Sequence, residues 1–253
     1  MRFVPIKFKI LRYVADQGVV TVWDVMDYFG LWTDPNTVRI ALFRGGVTQQ
    51  RYGGIRFGIW FIAEKDLFER LRVYYPDIPR FKVRGEKLLS KVPHSLKINK
   101  LRTILEKADK INVVDWWSEE YIRSLPVHKK DGLTTHKVPD AIFWRQRKDG
   151  SRQKYFLEYE RSLKAPGRYG KIFQFYAKRK DVKDRNVVYI CETEQIRDKL
   201  VKIENELVKG GKLKATDLYF SFIALEEFNR AYAHDKAEGK ARRILTERKR
   251  AGM

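Results

Sequence analysis

Lys137-Val138-Pro139-Asp140-Ala141-Ile142-Phe143-Trp144 and Lys154-Tyr155-Phe156-Leu157-Glu158-Tyr159-Glu160-Arg161 decide how this chain is read. Both segments are rich in aromatic and branched residues, so both are expected as strands. Asp149-Gly150 lies between them and signals a hairpin. Successive strand side chains point to opposite faces. Val138, Asp140, Ile142 and Trp144 are therefore expected on one face, and Phe156, Glu158 and Glu160 on one face of the next strand. If the hairpin sets these faces together, three carboxylates converge in an apolar setting. Clustered carboxylates are costly to bury unless a cation or protons neutralise them. A hard divalent ion, Mg²⁺ or Mn²⁺, suits such a set because it prefers oxygen ligands. The plainer alternative is a solvated strand face whose acids pair with nearby Lys or Arg.

Around this centre the chain is strongly basic. It has 253 residues, a formal net charge of +21 and a sequence pI near 9.9. Such charge points to a polyanionic partner held through counterion release at phosphates. Residues 80–110 hold ten Lys or Arg against three acids, and residues 164–185 hold eight against two. The acidic centre is thus flanked by basic runs, a layout that suits a phosphodiester ligand whether or not the acids are catalytic. No apolar run reaches the roughly 18 residues of a membrane span. Met1-Arg2-Phe3-Val4-Pro5 has no apolar signal-peptide core. Cys191 is the single cysteine, which excludes an internal disulfide and a cysteine-based zinc site. The expected setting is a reducing cytoplasm. His94, His128, His136 and His234 show no metal-ligand spacing.

The N-terminal third is expected to form three short helices and a hairpin. Ile6, Ile10, Leu11, Val14 and Ala15 recur at helical spacing before Gly18. Thr21 caps a second helix with Asp24 three residues on, close to a capping box, and Gly30 closes it. Asp34-Pro35 opens a third, with the acid at the cap and proline at the first helical position. Val38, Ala41 and Leu42 are expected inside, and Asn36, Thr37, Arg39, Ile40, Phe43 and Arg44 outside. Residues 52–62 follow as a two-stranded wing. This order describes a winged helix-turn-helix, whose third helix enters the major groove while the wing touches backbone or minor groove. Asn36, Arg39 and Arg44 on that helix and Arg51 and Arg56 on the wing are the candidate DNA contacts, since Arg pairs bidentately with guanine or phosphate. A dimerisation or partner-binding role is the alternative for this domain.

The order of elements in the remainder resembles the PD-(D/E)xK nuclease superfamily over roughly residues 94–192. A helix at 94–107, a strand at 111–116, the two segments quoted above, a helix at 167–180 and a strand at 186–192 give the αβββαβ order of that core. More narrowly, the chain is similar to the replication-relaxation family of plasmid and mobile-element proteins. The likeness rests on Trp116 or Trp117 with Glu119 or Glu120, Pro139-Asp140, Glu158-Tyr159-Glu160-Arg161, and Lys171 to Tyr176. The resemblance implies a metal held by Asp140 and Glu158, with Glu106 of the first helix completing it and Glu160 assisting. Where nucleases of this superfamily place lysine, two residues after the Glu, this chain has Glu160. Lys171 or Lys164 is then expected to stand in, while Lys164 and Arg168 grip the DNA backbone.

The expectation is a mixed α/β (α+β) protein in four parts. These are a winged helix at 1–78, a linker at 79–92, a nuclease-like domain at 93–232 and a basic tail at 233–253. The implied activity is that of a Mg²⁺- or Mn²⁺-dependent DNA endonuclease or nickase acting in replication or mobilisation of a plasmid or virus. The alternative is a catalytically inactive DNA-binding accessory factor or transcription regulator. Double-stranded DNA is the expected partner, with RNA as its rival. A second copy of the chain and other replication or mobilisation proteins are further candidates.

Overall fold

Helix α1, Ile6–Gln17, buries Leu11, Tyr13, Val14 and Gln17 and ends where Gly18 takes φ +76°. The computed structural model describes residues 5–62, 65–76, 87–108, 111–125, 137–179, 182, 186–214 and 220–232. Helix α2, Val22–Phe29, starts from a complete capping box. The Asp24 amide donates to Thr21 Oγ1 at 3.0 Å, and the Thr21 amide donates to Asp24 Oδ2 at 2.7 Å. Gly30, in the left-handed region, closes it. Helix α3, Pro35–Arg44, begins at Asp34, whose carboxylate accepts from the Asn36 amide at 3.0 Å. Val38 and Leu42, four residues apart, fill its core-facing row; Ala41, expected inside, lies off that row and is exposed.

A two-stranded antiparallel hairpin follows, β1 Thr48–Gln50 against β2 Ile59–Phe61. This corrects the expected wing at 52–62. Tyr52–Gly58 is the connecting loop, because Gly54, Phe57 and Gly58 all adopt positive φ and cannot continue a strand. The hairpin is tied to the start of α2 by mutual backbone bonds between Val20 and Trp60. Helix α4, Lys65–Arg72, adds Leu67, Phe68 and Leu71 to the core.

The chain then enters a long helix, α5, Lys87–Lys107. Residues 87–92 of the expected linker are helical, and Pro93 lies inside the helix. Strand β3 is Val113–Ser118 and helix α6 is Glu119–Ser124, with Ser118 Oγ capping the Tyr121 amide at 3.2 Å. Strand β4 is Ala141–Gln146 and β5 is Arg152–Glu160. They are joined by the expected turn, in which Gly150 takes φ +81° and Asp149 accepts from the Ser151 amide. Helix α7 is Pro166–Ala177, β6 Val187–Cys191, α8 Glu194–Lys209 and β7 Phe220–Ala224; residues 225–232 are helical. The protein is thus of the mixed α/β class, with one five-stranded sheet in the order β3-β4-β5-β6-β7. β5, β6 and β7 run parallel.

Contacts divide the chain into two compact units. The first takes residues 1–103 and 117–141, the second 104–116 and 142–253. The first has a core of Leu11, Val14, Val25, Leu42, Trp60 and their neighbours. Asn99 of α5 is sealed into it, donating to the Val19 carbonyl at 2.8 Å. In the second unit, Phe173 and Tyr176 of α7 pack with Phe220 of β7. Trp116 is buried and stacks on Phe143 at 5.8 Å. Trp117 is half-buried against Tyr121. The expected tail at 233–253 lies outside the described residues.

Candidate functional site

Strand β5 is central in the sheet, and its last five residues, Phe156 to Glu160, are all buried. A strand covered on both faces is ordinarily a continuous apolar run. This one carries two carboxylates, Glu158 at 5% exposure and Glu160 at 6%. Phe156, Glu158 and Glu160 share the face under α7, as the period-two reading expects. Phe156 packs on the Tyr176 ring, and the Tyr176 hydroxyl donates to Glu158 Oε1. Glu160 accepts from Lys164, four residues on in the loop between β5 and α7. The Lys164 ammonium lies 5.5 Å from the ring centre of Tyr169, and its backbone amide donates to the Tyr169 hydroxyl at 3.0 Å.

Two buried acids are tolerated here because each has a donor partner. Their field is felt by their neighbours. Burial, with the Glu160 charge beside it, holds the Tyr169 phenol above its usual range. Cys191 sits opposite Glu160 in the parallel register, and burial, reinforced by Glu160, pushes its thiol up to about 12. It is a free, buried thiol. On the other face of β5, the Tyr159 hydroxyl donates to Glu192. Glu160, Cys191 and Ala224 end the three parallel strands in register. In open α/β sheets, the carboxyl ends of strands are where ligands bind.

Asp140 lies in the first unit, just ahead of β4. The strand begins at Ala141, so the expected alternation through Val138 and Asp140 does not extend that far. Pro139 has no amide proton for a ladder bond. The Asp140 carbonyl accepts from the Glu119 amide at 3.0 Å, and its carboxylate lies 3.1 Å from His94 Nε2. Glu119 also pairs with Arg123 and Lys91. Glu106 is half-buried on α5. Lys164 meets Glu160, whereas Lys171 and Arg168 are exposed on α7. Among the described residues, no group of three or more His, Cys, Asp or Glu side chains stands where it could hold a metal ion. The carboxylates gathered under α7 are Glu158 and Glu160, and a lysine already neutralises the second. That chemistry is a poor match to the expected ion, which takes its charge balance from unpaired carboxylate oxygens.

The candidate DNA contacts of the N-terminal third lie in the first unit. Asn36 is half-buried beside Asp34, its amide group 3.4 Å from the carboxylate. Arg39 is half-buried, and its Nε finds no acceptor among the described residues. Arg44, Arg51 and Arg56 are exposed. Arg56 rests over the Phe57 ring at 5.0 Å.

Three features escaped the sequence. His94 meets Asp140 across 46 positions, a pairing no local spacing announces. Tyr169 and Tyr176 of α7 both turn hydroxyls to the acidic site, which an aromatic residue in a helix does not announce. Trp32, between α2 and α3, is 100% exposed. No family model matches the sequence, no curated protein matches it, and no solved structure matches the fold.

Proposed function

We propose that this chain is a double-stranded-DNA-binding protein of a plasmid or virus, acting in replication or mobilisation as a binding factor. The first unit serves as a winged helix, with α3 as its reading helix and the β1–β2 hairpin as its wing. The second unit is a PD-(D/E)xK-like scaffold that grips the backbone through Arg168 and Lys171. The order α5-β3-α6-β4-β5-α7-β6, the expected αβββαβ series with the short helix α6 inserted after β3, supports that arrangement, as does the parallel entry of β6 beside β5. The observation that carries the reading is the state of the arginines. Arg44, Arg51 and Arg56 stand exposed without an ion-pair partner among the described residues, on a chain of net charge +21. Unpaired surface cations on a helix end and an adjoining hairpin are what phosphates recruit.

In this reading the buried acids are structural. Glu160 fixes Lys164 and Glu158 fixes Tyr176, so that the loop ahead of α7 is held in place. A second reading, a Mg²⁺- or Mn²⁺-dependent endonuclease, is favoured by one observation: two glutamates buried at the carboxyl edge of the sheet's central strand. Supercoiled plasmid with either ion, together with a mobility-shift assay on duplex DNA, separates the two. Retarded DNA that stays supercoiled supports the binding factor. Nicking by the wild type that disappears in Glu158→Gln and Asp140→Ala overturns it in favour of the nuclease. Absence of any duplex binding removes both.

A further inference from the structure

A groove of about 690 Å³ runs between α1 and α3 in the first unit. That volume lies within the roughly 300–1,000 Å³ of small-molecule sites. Its walls are aliphatic, with Ile10, Leu31, Val38 and Ile40 among them, and the hydroxyls of Thr33 and Thr37 interrupt them. The charged lining residues are Lys7 and Arg44, both cationic. The groove is therefore apolar in its walls, carries donors and acceptors at a few points, and attracts an anion.

In the chain Trp32 stands between two lining residues, Leu31 and Thr33, while its own side chain is 100% exposed. An indole left wholly in water is costly surface that a fold ordinarily covers. Gly30 in the left-handed region turns the chain out of α2, the Leu31 amide donates to the Met26 carbonyl at 2.9 Å, and Leu31 packs into the core. Two residues later Asp34 is fixed as the cap of α3. Trp32 thus lies between two anchored positions, Leu31 and Asp34, and stacking on it costs little ordering. Phe43, 71% exposed on α3, is a second uncovered ring on the same unit.

We infer that this groove and Trp32 form a site for an unpaired nucleobase, so that the protein binds locally opened DNA in preference to continuous duplex. The base stacks on the Trp32 indole. Its polar edge meets Thr33 and Thr37, and its flanking phosphates meet Lys7 and Arg44. Aromatic stacking beside cations is how proteins hold single strands irrespective of sequence. This inference rests on the DNA-binding reading above and adds to it the form of DNA preferred.

The test compares two DNAs of the same length and sequence at one salt concentration: continuous duplex, and duplex with a short internal bubble carrying 2-aminopurine. The full chain is titrated as wild type, Trp32→Ala and Thr37→Val. Trp32 makes no buried contact that its loss would expose. The wild type is expected to bind the bubble about tenfold more tightly and to quench 2-aminopurine. Trp32→Ala loses that preference and the quenching while its duplex affinity stays unchanged. Thr37→Val weakens bubble binding alone. Equal wild-type affinity for both DNAs overturns the inference and leaves duplex binding standing. A Trp32→Ala loss that is the same on both also overturns it, since Trp32 then touches paired DNA. Binding to neither DNA removes the inference together with the function it rests on.

Discussion

Glu160 and Lys164 stabilise the fold only as a pair. Removing the cation leaves a carboxylate of 6% exposure without its charge partner, and stranding a buried charge costs far more than the intact pair contributes. Lys164→Met is expected to lower stability by about 2–3 kcal/mol, and Lys164→Met with Glu160→Gln to recover most of that loss. Urea unfolding of the two variants checks it; a double variant no more stable than the single would show that Lys164 acts through its stem on Tyr169 and not through its charge. Cys191 supplies a second test with a defined sign. Its folded value, raised to about 12 from an ordinary value of 9.0, favours the protonated thiol in the native state. That contribution is complete below about pH 9 and is lost as pH rises toward 12. Cys191→Ala should therefore lack the part of the alkaline decline that the wild type shows in this window, and the native thiol should resist alkylation at neutral pH. The carboxylates themselves were plain in the sequence, because alternate positions in an apolar strand reveal a shared face. Their partners were not. Lys164 and Lys171 are equally basic on paper, and only the packing of the loop ahead of α7 brings the first to Glu160 and leaves the second in water.

Helices and strands differed in how far local chemistry fixed them. Thr21 with Asp24, and Asp34 with Pro35, announce helix starts because a cap is a contact across two or three residues. Thr21→Ala should cost about 1 kcal/mol, read as a shift in thermal or urea midpoint, since it removes one half of the box and orphans an amide. The hairpin was legible as a hairpin but misplaced by several residues. Tyr52, Ile55 and Phe57 are strand formers by composition, yet the strands are decided by a pairing that composition does not encode: Val20 with Trp60, forty positions apart. Gly58 shows the constraint most sharply. It takes φ +66°, and a Cβ there would stand 2.3 Å from the Gln50 carbonyl oxygen. Gly58→Ala is accordingly expected to destabilise by about 2 kcal/mol or more, through steric displacement of β1 added to backbone strain. If the β1–β2 hairpin is the wing, that variant should also weaken duplex binding more than Gly53→Ala, whose Cβ would meet open space and whose loop position is otherwise comparable.

The order of the elements from α5 to β6, the short α6 apart, was readable because each is a contiguous run with its own period. The division of the chain was not. Residues 117–141 belong to the first unit, drawn there by contacts such as Ser118 Oγ donating to the Asp16 carbonyl, 102 positions back. A boundary sought in Pro-rich, basic sequence misses such a return. Charge is the property of the whole chain that sequence states completely, and it carries the broadest prediction. Each phosphate contact releases counterions, so log K for duplex DNA should fall linearly with log salt, by about 0.9 per contact. Arg44, Arg51 and Arg56 are the unpaired first-unit candidates for such contacts. Replacing one with Gln should flatten the slope by about one contact's worth, and replacing all three by about three, with little change in thermal stability because none holds an ion pair in the described structure. Arg123→Gln is the control: that guanidinium is already engaged by Glu119 and should leave the slope unchanged. Equal flattening by Arg123→Gln would mean that the DNA senses net charge alone, and would dissolve the assignment of α3 and the hairpin as its binding face.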